Sequence, residues 1–333
     1  MTKKEKLKLL FADLPAGRPV LFHPILMHFA ARFNRRTYGE FASDHKILVE
    51  CNIRALEHFD LDMVSLISDP YRETSAFGAR IEYIPEGVPK CLDTLVKSIN
   101  DAKLLKRPDV YKAERTLDRI RGAELYTKFL RGTVPVIGWI EGPLAEACDL
   151  AGVSGMLMYL MIDPDLSNYL MDKCVETAKD FARAQIEAGC DIIGMGDAIC
   201  SQIDADTYDT YVKFRHVDII NFIHSLNARV KLHICGDITH LLPSLKDLNV
   251  DILDLDWKVD MDHAYNILGD KVVHCGNINP LEIQDKSEAE VYRMSLELIE
   301  REHNRRYILS GGCEITVHTP PLNLIAMRKA SER

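Results

Sequence analysis

The chain has 333 residues, of which 47% are hydrophobic, and its 41 Lys and Arg against 50 Asp and Glu give a net charge of −9. The hydrophobic fraction excludes a disordered or low-complexity chain, and the length allows one large domain or two ordinary ones. Because nucleic acids and anionic membranes are bound through concentrated positive charge, the acidic balance argues against both as partners.

The N-terminal segment carries Glu5, Lys6 and Lys8 where a signal peptide has an uninterrupted apolar region. The longest apolar stretch, MLMYLMI, is shorter than the roughly 20 residues that cross a bilayer. We therefore expect a cytoplasmic protein without a membrane segment. The nine cysteines are an odd count in a chain too large to need disulfides, which favours reduced thiols and makes metal ligation a hypothesis to follow.

Eight short runs rich in Val, Ile and Leu recur along the chain, separated by longer amphipathic stretches. They fall at residues 20–22, 63–67, 134–140, 191–195, 229–234, 252–255, 272–275 and 307–310. Near-continuous apolar strands alternating with helices are typical of a parallel sheet buried on both faces, and eight such units predict a closed (β/α)₈ TIM barrel. A doubly wound open sheet is the alternative, but the absence of Gly-x-Gly-x-x-Gly after any predicted strand argues against its dinucleotide-binding version.

The segments between these runs have helical patterns. Apolar residues at steps of three and four predict helices over 167–189 and 288–303. We expect a helical elaboration before the first strand and another, over 94–130, between the second and third strands. Because no linker rich in Gly, Ser or Pro and no repeat interrupts the sequence, we expect one domain over residues 1–333.

Polar residues follow most of the predicted strands, at the end where TIM barrels carry their chemistry. The four that we predict to contact the substrate are Glu141, Asp197, Asp256 and Asn277, which follow the third, fourth, sixth and seventh strands. One acidic residue at such a position often only caps the next helix, but polar residues after six strands indicate a lined pocket. For the acidic members, orienting a metal ligand and supplying a further metal ligand are the alternative roles.

The pair His233 and Cys235 lies in and just after the fifth predicted strand. Residues two apart in a strand point the same way, so an imidazole and a thiol at this spacing can converge on one metal ion. Cys313, after the eighth strand and preceded by two glycines, is placed to supply a third ligand. Three protein ligands would leave the fourth tetrahedral position of zinc open, as in catalytic sites. The alternative is that both cysteines are small core residues and His233 is a satisfied pocket histidine.

Nearly the whole chain resembles the uroporphyrinogen decarboxylase superfamily. The resemblance is carried by Pro19-Val20 at the first strand, Ser68-Asp69 after the second, residues 138–143 after the third, Gly276-Asn277 after the seventh and the terminal segment YILSGGCEITVHTPPLN. Members of this superfamily are (β/α)₈ barrels, which agrees with the number of predicted strands.

Two departures from the true decarboxylases stand at functional positions. Where they carry paired arginines after the first strand, this chain reads FHPILMHFAARF, with Arg32 as its only arginine; where they end in Gly-His-Gly-Ile, it has Cys313 in place of the histidine. A His-x-Cys pattern followed far downstream by one Cys is instead similar to the corrinoid-dependent methyltransferase branch, which includes methylcobamide:coenzyme M methyltransferases. That resemblance implies His233, Cys235 and Cys313 as catalytic ligands of Zn²⁺.

The ligand set suggests a reaction. Zinc with two thiolates and a neutral imidazole is formally uncharged, so it would bind an incoming thiol, whose free pKa is about 8–9, as thiolate. The resemblance thus implies methyl transfer between a corrinoid (methylcobamide) and a zinc-activated thiol or, in reverse, from a methylated substrate to Co(I). Because a corrinoid does not fit inside a filled barrel and no Asp-x-His-x-x-Gly loop is present, we expect a separate corrinoid protein as partner, with a small-molecule methyl donor or thiol acceptor.

Two alternatives from other classes stay open. One is a decarboxylase acting on a tetrapyrrole, which the missing arginines disfavour because a multiply carboxylated substrate needs positive charge to hold it. The other is a non-catalytic protein that binds zinc or a corrinoid partner.

Overall fold

The computed structural model describes residues 1–12 and 18–333, and these contain ten strands. The strands are β1 (Leu21–Phe22), β2 (Val64–Ser65), β3 (Ile81–Ile84), β4 (Gly87–Cys91), β5 (Val136–Glu141), β6 (Ile192–Gly196), β7 (Arg229–His233), β8 (Ile252–Asp254), β9 (Val273–Ile278) and β10 (Tyr307–Gly311). Eight of them form one sheet in the order β1-β10-β9-β8-β7-β6-β5-β2, and each neighbouring pair is parallel.

The two ends of this sheet meet. The backbone N–H of Asp62, just before β2, donates to the carbonyl of Phe22 in β1 at 2.9 Å, and the Asp62 carboxylate accepts the Phe22 N–H at 2.8 Å. The strands therefore close into a (β/α)₈ barrel, as the eight apolar runs predict. Every predicted run overlaps one strand of the barrel, and four of the strands continue beyond the run by one to three residues.

Helices surround the barrel, mostly as crossovers between parallel strands. They are α1 (Lys3–Phe11), α2 (His28–Phe33), α3 (Tyr38–Ser43), α4 (His45–Phe59), α5 (Arg72–Ala76), α6 (Ile99–Leu104), α7 (Glu114–Leu130), α8 (Pro143–Ala151), α9 (Val153–Ile162), α10 (Pro164–Glu187), α11 (Ala205–Thr207), α12 (Lys213–Ser225), α13 (Leu242–Leu245), α14 (Met261–Leu268), α15 (Pro280–Asp285), α16 (Glu288–Arg301) and α17 (Pro321–Ser331). Helices α10 and α16 match the two predicted by amphipathic spacing.

The elaboration between the second and third barrel strands is only partly as predicted. It contains α6 and α7, but it is preceded by the antiparallel hairpin of β3 and β4, which the sequence did not reveal. The hairpin was missed because its side chains are mostly half-buried or exposed, so it lacks the continuous apolar run by which the barrel strands were recognised.

Helix α1 covers the N-terminal end of the barrel. Its Leu7 and Leu10 pack in one buried cluster with inward-facing residues of the strands, among them Leu21 and Ile137. Lys4 fastens the helix to the strands, because its ammonium lies 2.6 Å from the carboxylate of Asp191, just before β6. With this end covered, the opposite, C-terminal mouth carries the polar side chains.

The described residues include no single helix with both the length and the apolar composition of a membrane span. Helices α8 and α9 reach that composition only as a pair, and they meet at an angle of 109°. Most side chains of α8 are buried against the rest of the barrel.

Candidate metal centre

The three predicted metal ligands converge at the C-terminal mouth. His233 is the last residue of β7, Cys235 lies two residues beyond it, and Cys313 follows the end of β10. The Nε2 of His233 lies 2.9 Å from the Sγ of Cys235, which lies 3.6 Å from the Sγ of Cys313. All three donor atoms lie within 4.8 Å of one another. The structure thus brings together the residues that spacing and resemblance singled out.

Close backbone packing carries Cys313 to the other two ligands. Strands β8 and β9 separate β10 from β7, so the Cys313 thiol reaches the cluster across the mouth. A Cβ on Gly312 would lie 2.3 Å from the backbone nitrogen of Trp257, so the loop after β10 lies against the loop after β8 only because residue 312 is glycine. Gly236, directly after Cys235, has a φ of 94°, where glycine is strongly favoured.

The donor set fits zinc. Tetrahedral coordination with Zn–S bonds of about 2.3 Å implies sulfurs about 3.8 Å apart, and the observed separation is 3.6 Å. The hydrogen bond between the two thiols, with His233 beside them, lowers the pKa of Cys313 and raises the pKa of Cys235. A lowered thiol pKa favours the thiolate, which is the form of cysteine that binds metals. Both thiols are only half-buried, which leaves one side of the cluster accessible.

A buried ion pair stands behind the histidine. The Nδ1 of His233 lies 2.9 Å from Oδ2 of Asp254, the last residue of β8, and the other carboxylate oxygen lies 2.8 Å from the ammonium of Lys231. Burial opposes ionisation of Asp254, but Lys231 and then His233 outweigh it and lower the pKa of Asp254 well below its ordinary value. The pair therefore places a buried carboxylate oxygen, with its charge balanced by Lys231, against the ring nitrogen that faces away from the thiols.

Glu141 lies at the end of β5, which β6 separates from the strand that carries His233. Its Oε2 is 3.4 Å from where a Cβ on Gly196 would stand, and Gly196 is the β6 residue in register with His233. Its other oxygen accepts a hydrogen bond from Arg72 of α5 at 2.5 Å. Burial raises the pKa of Glu141 well above its ordinary value; Arg72 opposes the shift and the nearby Glu73 adds to it. The structure keeps Glu141 at the mouth, where substrate contact stays a prediction.

Asp197 follows β6 but serves the scaffold. Its carboxylate accepts the backbone N–H of Ala145 at 2.7 Å at the start of α8 and lies 2.8 Å from Nε2 of His216. The residue has no exposed surface. These contacts are those of a helix-capping aspartate. Asp197 is not among the three clustered residues, and its contact with substrate stays a prediction.

Asp256 and Asn277 hold the loops that surround the ligands. The carboxylate of Asp256 accepts the N–H of Gly236 at 3.0 Å and of Lys258 at 3.1 Å, which ties the loop after β7 to the loop after β8. The side-chain amide of Asn277 donates to the carbonyls of Asp256 at 3.1 Å and Val259 at 2.8 Å. Their contacts thus position the backbone around Cys235, and a direct role toward substrate remains a prediction.

Sequence reasoning did not assign roles to Lys231, Asp254 or Arg72. Lys231 could have been recognised from the sequence. It is a charged residue within an apolar strand, two positions before His233, and residues two apart in a strand point to the same face. Arg72 gave no such signal, because α5 is a short helix whose burial depends on packing against the neighbouring elements.

Comparison with known proteins agrees with this architecture. Residues 10–333 match the family described as uroporphyrinogen decarboxylase (URO-D). Over its full length the chain is similar to the solved structure of a methyltransferase from Methanosarcina mazei, with a TM-score of 0.90 at 20% identity, covering 100% of this chain and 98% of that one. At that identity the similarity establishes the fold.

Two kinds of curated relative are similar in sequence. The uroporphyrinogen decarboxylase of Geobacter sulfurreducens is 26% identical, covering 97% of this chain and 98% of its own. The methylcobamide:CoM methyltransferase MtaA of Methanosarcina barkeri is 31% identical, covering 60% of this chain and 58% of its own. These matches confirm the predicted resemblance to the superfamily and its methyltransferase branch. Since the family match spans nearly the whole sequence, the chain belongs to the uroporphyrinogen decarboxylase family of enzymes.

Proposed function

We propose that the protein is a zinc-dependent methyltransferase that moves a methyl group between a corrinoid carried by a partner protein and a thiol. The observation that supports this proposal most directly is the cluster of His233, Cys235 and Cys313 at the mouth, with one imidazole and two thiol groups within 4.8 Å of one another. In the proposed reaction the cobalt–carbon bond breaks, a sulfur–carbon bond forms, the electron pair stays on cobalt as Co(I), and the thiol proton passes to solvent.

His233, Cys235 and Cys313 would hold the metal. Bound there, zinc supplies a Lewis acid that lowers the pKa of a coordinated thiol. Other features of the chain would support the site. Gly312 allows Cys313 to approach the other two residues, and Asp256 fixes the loop after Cys235. Because the two sulfurs are only half-buried, a small thiol could reach the metal.

The corrinoid would approach from outside the barrel. Inward-facing apolar side chains fill the interior, and α1 covers its N-terminal end, so a large planar cofactor has access only at the C-terminal mouth. The relative from Methanosarcina barkeri is by name a methylcobamide:CoM methyltransferase, which favours a methylated corrinoid over other donors. The opposite direction, from a methylated substrate to Co(I), uses the same groups.

Zinc analysis and a demethylation assay test the proposal. We expect about one zinc per chain and a thiol-dependent change in the visible spectrum of methylcobalamin, both lost in Cys313→Ala. Cys91→Ala is the matched control, because Cys91 is also half-buried but lies on the hairpin, where its thiol donates to the Asp93 carbonyl at 3.1 Å. Zinc-free wild-type protein without thiol-dependent demethylation would contradict the proposal.

The same preparation distinguishes the decarboxylase alternative, which is favoured by relatives that match 97% of the chain. Release of CO₂ from a carboxylated tetrapyrrole that is unaffected by Cys313→Ala would support that alternative. We expect no such release, because the buried arginines near the mouth already have acidic partners: Arg72 binds Glu141, and Arg115 binds Asp69.

A further inference from the structure

We propose that Lys231 and Asp254 act as a positioning pair for the metal centre: they orient the imidazole of His233 so that Nε2 presents its lone pair toward the thiols of Cys235 and Cys313. The inference rests on the proposed zinc site and deepens it, because it assigns a role to two residues inside the barrel that have none in the reaction itself.

The first observation is the orientation of the His233 imidazole ring. His233 places Nδ1 against Asp254 at 2.9 Å and Nε2 against Cys235 at 2.9 Å. A carboxylate accepts hydrogen bonds but does not donate them, so Nδ1 carries the proton in this contact. In a neutral imidazole the other nitrogen then has a free lone pair, and Nε2 is the nitrogen that faces the sulfurs.

The second observation is what holds the carboxylate. Asp254 takes its place by register, since it is paired with His233 on adjacent strands. Its second oxygen accepts from the ammonium of Lys231 at 2.8 Å, and Lys231 also lies 3.6 Å from the Sγ of Cys275 in the barrel interior. Asp254 is thus held from two sides, by the histidine above and the lysine below.

The third observation concerns charge. Lys231 is only 1% exposed, and a buried ammonium is costly unless it is paired. Apolar side chains such as Ile192, Ile252 and Val273 fill the same interior, so packing alone does not account for a lysine there. Paired with Asp254, it cancels the carboxylate charge, and the metal centre gains a hydrogen-bond acceptor for Nδ1 without a net negative charge behind it.

Strand β8 offers a matched control for the test. Asp251, just before β8, contacts His224 at 2.7 Å and Arg229 at 2.8 Å, so it is also an aspartate between a histidine and a cation. It lies at the N-terminal end of the barrel, away from the thiols. Asp251→Asn therefore removes the same kind of charge from the same part of the chain without touching the metal centre.

The experiment measures zinc affinity of the full-length protein by competition with a chromophoric chelator. For Asp254→Asn we expect affinity about 10–100-fold weaker than wild type, the usual loss when a hydrogen-bond partner of a ligating histidine is changed. For Asp251→Asn we expect affinity within about twofold of wild type. The double variant Lys231→Met/Asp254→Leu removes both buried charges together with the acceptor for Nδ1 and leaves no uncompensated ion; we expect its zinc affinity to be about 10–100-fold weaker than that of wild type as well.

A spectroscopic readout separates positioning from general stability. In zinc-loaded wild type, the His233 Nδ1 proton should give a downfield, slowly exchanging resonance, which should disappear in Asp254→Asn and in the double variant but persist in Asp251→Asn. Zinc affinity of Asp254→Asn within twofold of wild type, or an unchanged resonance, would overturn the inference while leaving the proposed function intact. Failure of the wild-type protein to bind zinc would overturn both.

Discussion

Asp254 and Asp251, three positions apart at β8, have similar neighbours at opposite ends of the barrel. Each carboxylate lies between a histidine and a cation: Asp254 contacts His233 and Lys231, while Asp251 contacts His224 and Arg229. Asp251 also accepts the backbone N–H of Val230 at 2.8 Å, so it joins β7 to β8.

The two sites differ in what surrounds the second ring nitrogen of each histidine. The other nitrogen of His233 faces two thiols in a half-buried mouth, whereas His224 is on the outer helix α12 and is partly exposed. A histidine, an aspartate and a cation thus stabilise the scaffold at one end of the strands, and in our proposal a similar trio orients a metal ligand at the other end. In a parallel barrel, position along the strand decides the role, because the loops that carry chemistry emerge at one end.

The largest difference between the two ends of the barrel is expected when a proposed metal ligand at the C-terminal end is removed. For Cys313→Ala we expect thiol-dependent demethylation of methylcobalamin to fall by about 10³-fold or more, because metal-ion catalysis supplies several kcal/mol. The rate measured with saturating thiol checks this. Equal activity in Cys313→Ala and Cys91→Ala would contradict a role of the mouth cluster in the reaction.

A third carboxylate–cation pair, without a histidine, should affect stability rather than metal binding. Both oxygens of Asp69, after β2, accept from Arg115 at 2.7 Å, and both residues are buried. Asp69→Asn leaves the Arg115 charge unpaired, so we expect the free energy of unfolding to fall by about 3 kcal/mol or more at pH 7.

The pH dependence of that loss tests its cause. Burial raises the pKa of Asp69, but Arg115 outweighs burial and holds the pKa below its ordinary value. A depressed carboxyl pKa contributes stability above the unfolded pKa of about 4 and loses it as pH falls toward the folded pKa. The difference in unfolding free energy between wild type and Asp69→Asn, from urea titrations, should therefore shrink below about pH 4. A constant difference would mean lost packing rather than lost charge pairing.

Crowding the C-terminal end should weaken metal binding moderately. In Gly312→Ala the new methyl group would lie 2.3 Å from the backbone nitrogen of Trp257, so the loop that carries Cys313 must shift. We expect a stability loss of about 1–3 kcal/mol and weaker zinc binding by chelator competition. Gly155→Ala in α9 is the control, because its added methyl meets only Tyr159 at 3.7 Å. Unchanged zinc affinity in Gly312→Ala would show that Cys313 tolerates displacement.

The smallest effect is expected at the N-terminal end. Asp251→Asn should lower the free energy of unfolding by about 1–2 kcal/mol through loss of its charge-assisted hydrogen bonds, with demethylation activity unchanged. Thermal unfolding and the methylcobalamin assay measure the two quantities. A loss of demethylation activity in Asp251→Asn would contradict the conclusion that only the C-terminal end of the strands takes part in the reaction.

Much of the barrel, and the three residues at the centre of the candidate site, could be predicted from the sequence. Each apolar run gave one barrel strand, because burial on both faces leaves a continuous hydrophobic signal. The hairpin of β3 and β4 carries no such signal and was missed. Asp197 and Glu141 looked alike as acidic residues after strands, yet one caps α8 and the other stays at the mouth beside Arg72.

The sequence by itself determined the eight barrel strands, their alternation with helices and the pairing of His233 with Cys235, because periodicity and a spacing of two residues are local properties of the chain. Only the tertiary structure decided that Cys313 meets Cys235 across the mouth, and that Lys231, Asp254 and His233 stack into one chain of contacts inside the barrel. Contacts of this kind depend on sheet register and on close approach of loops such as that at Gly312, which are set by closure of the barrel rather than by neighbouring residues.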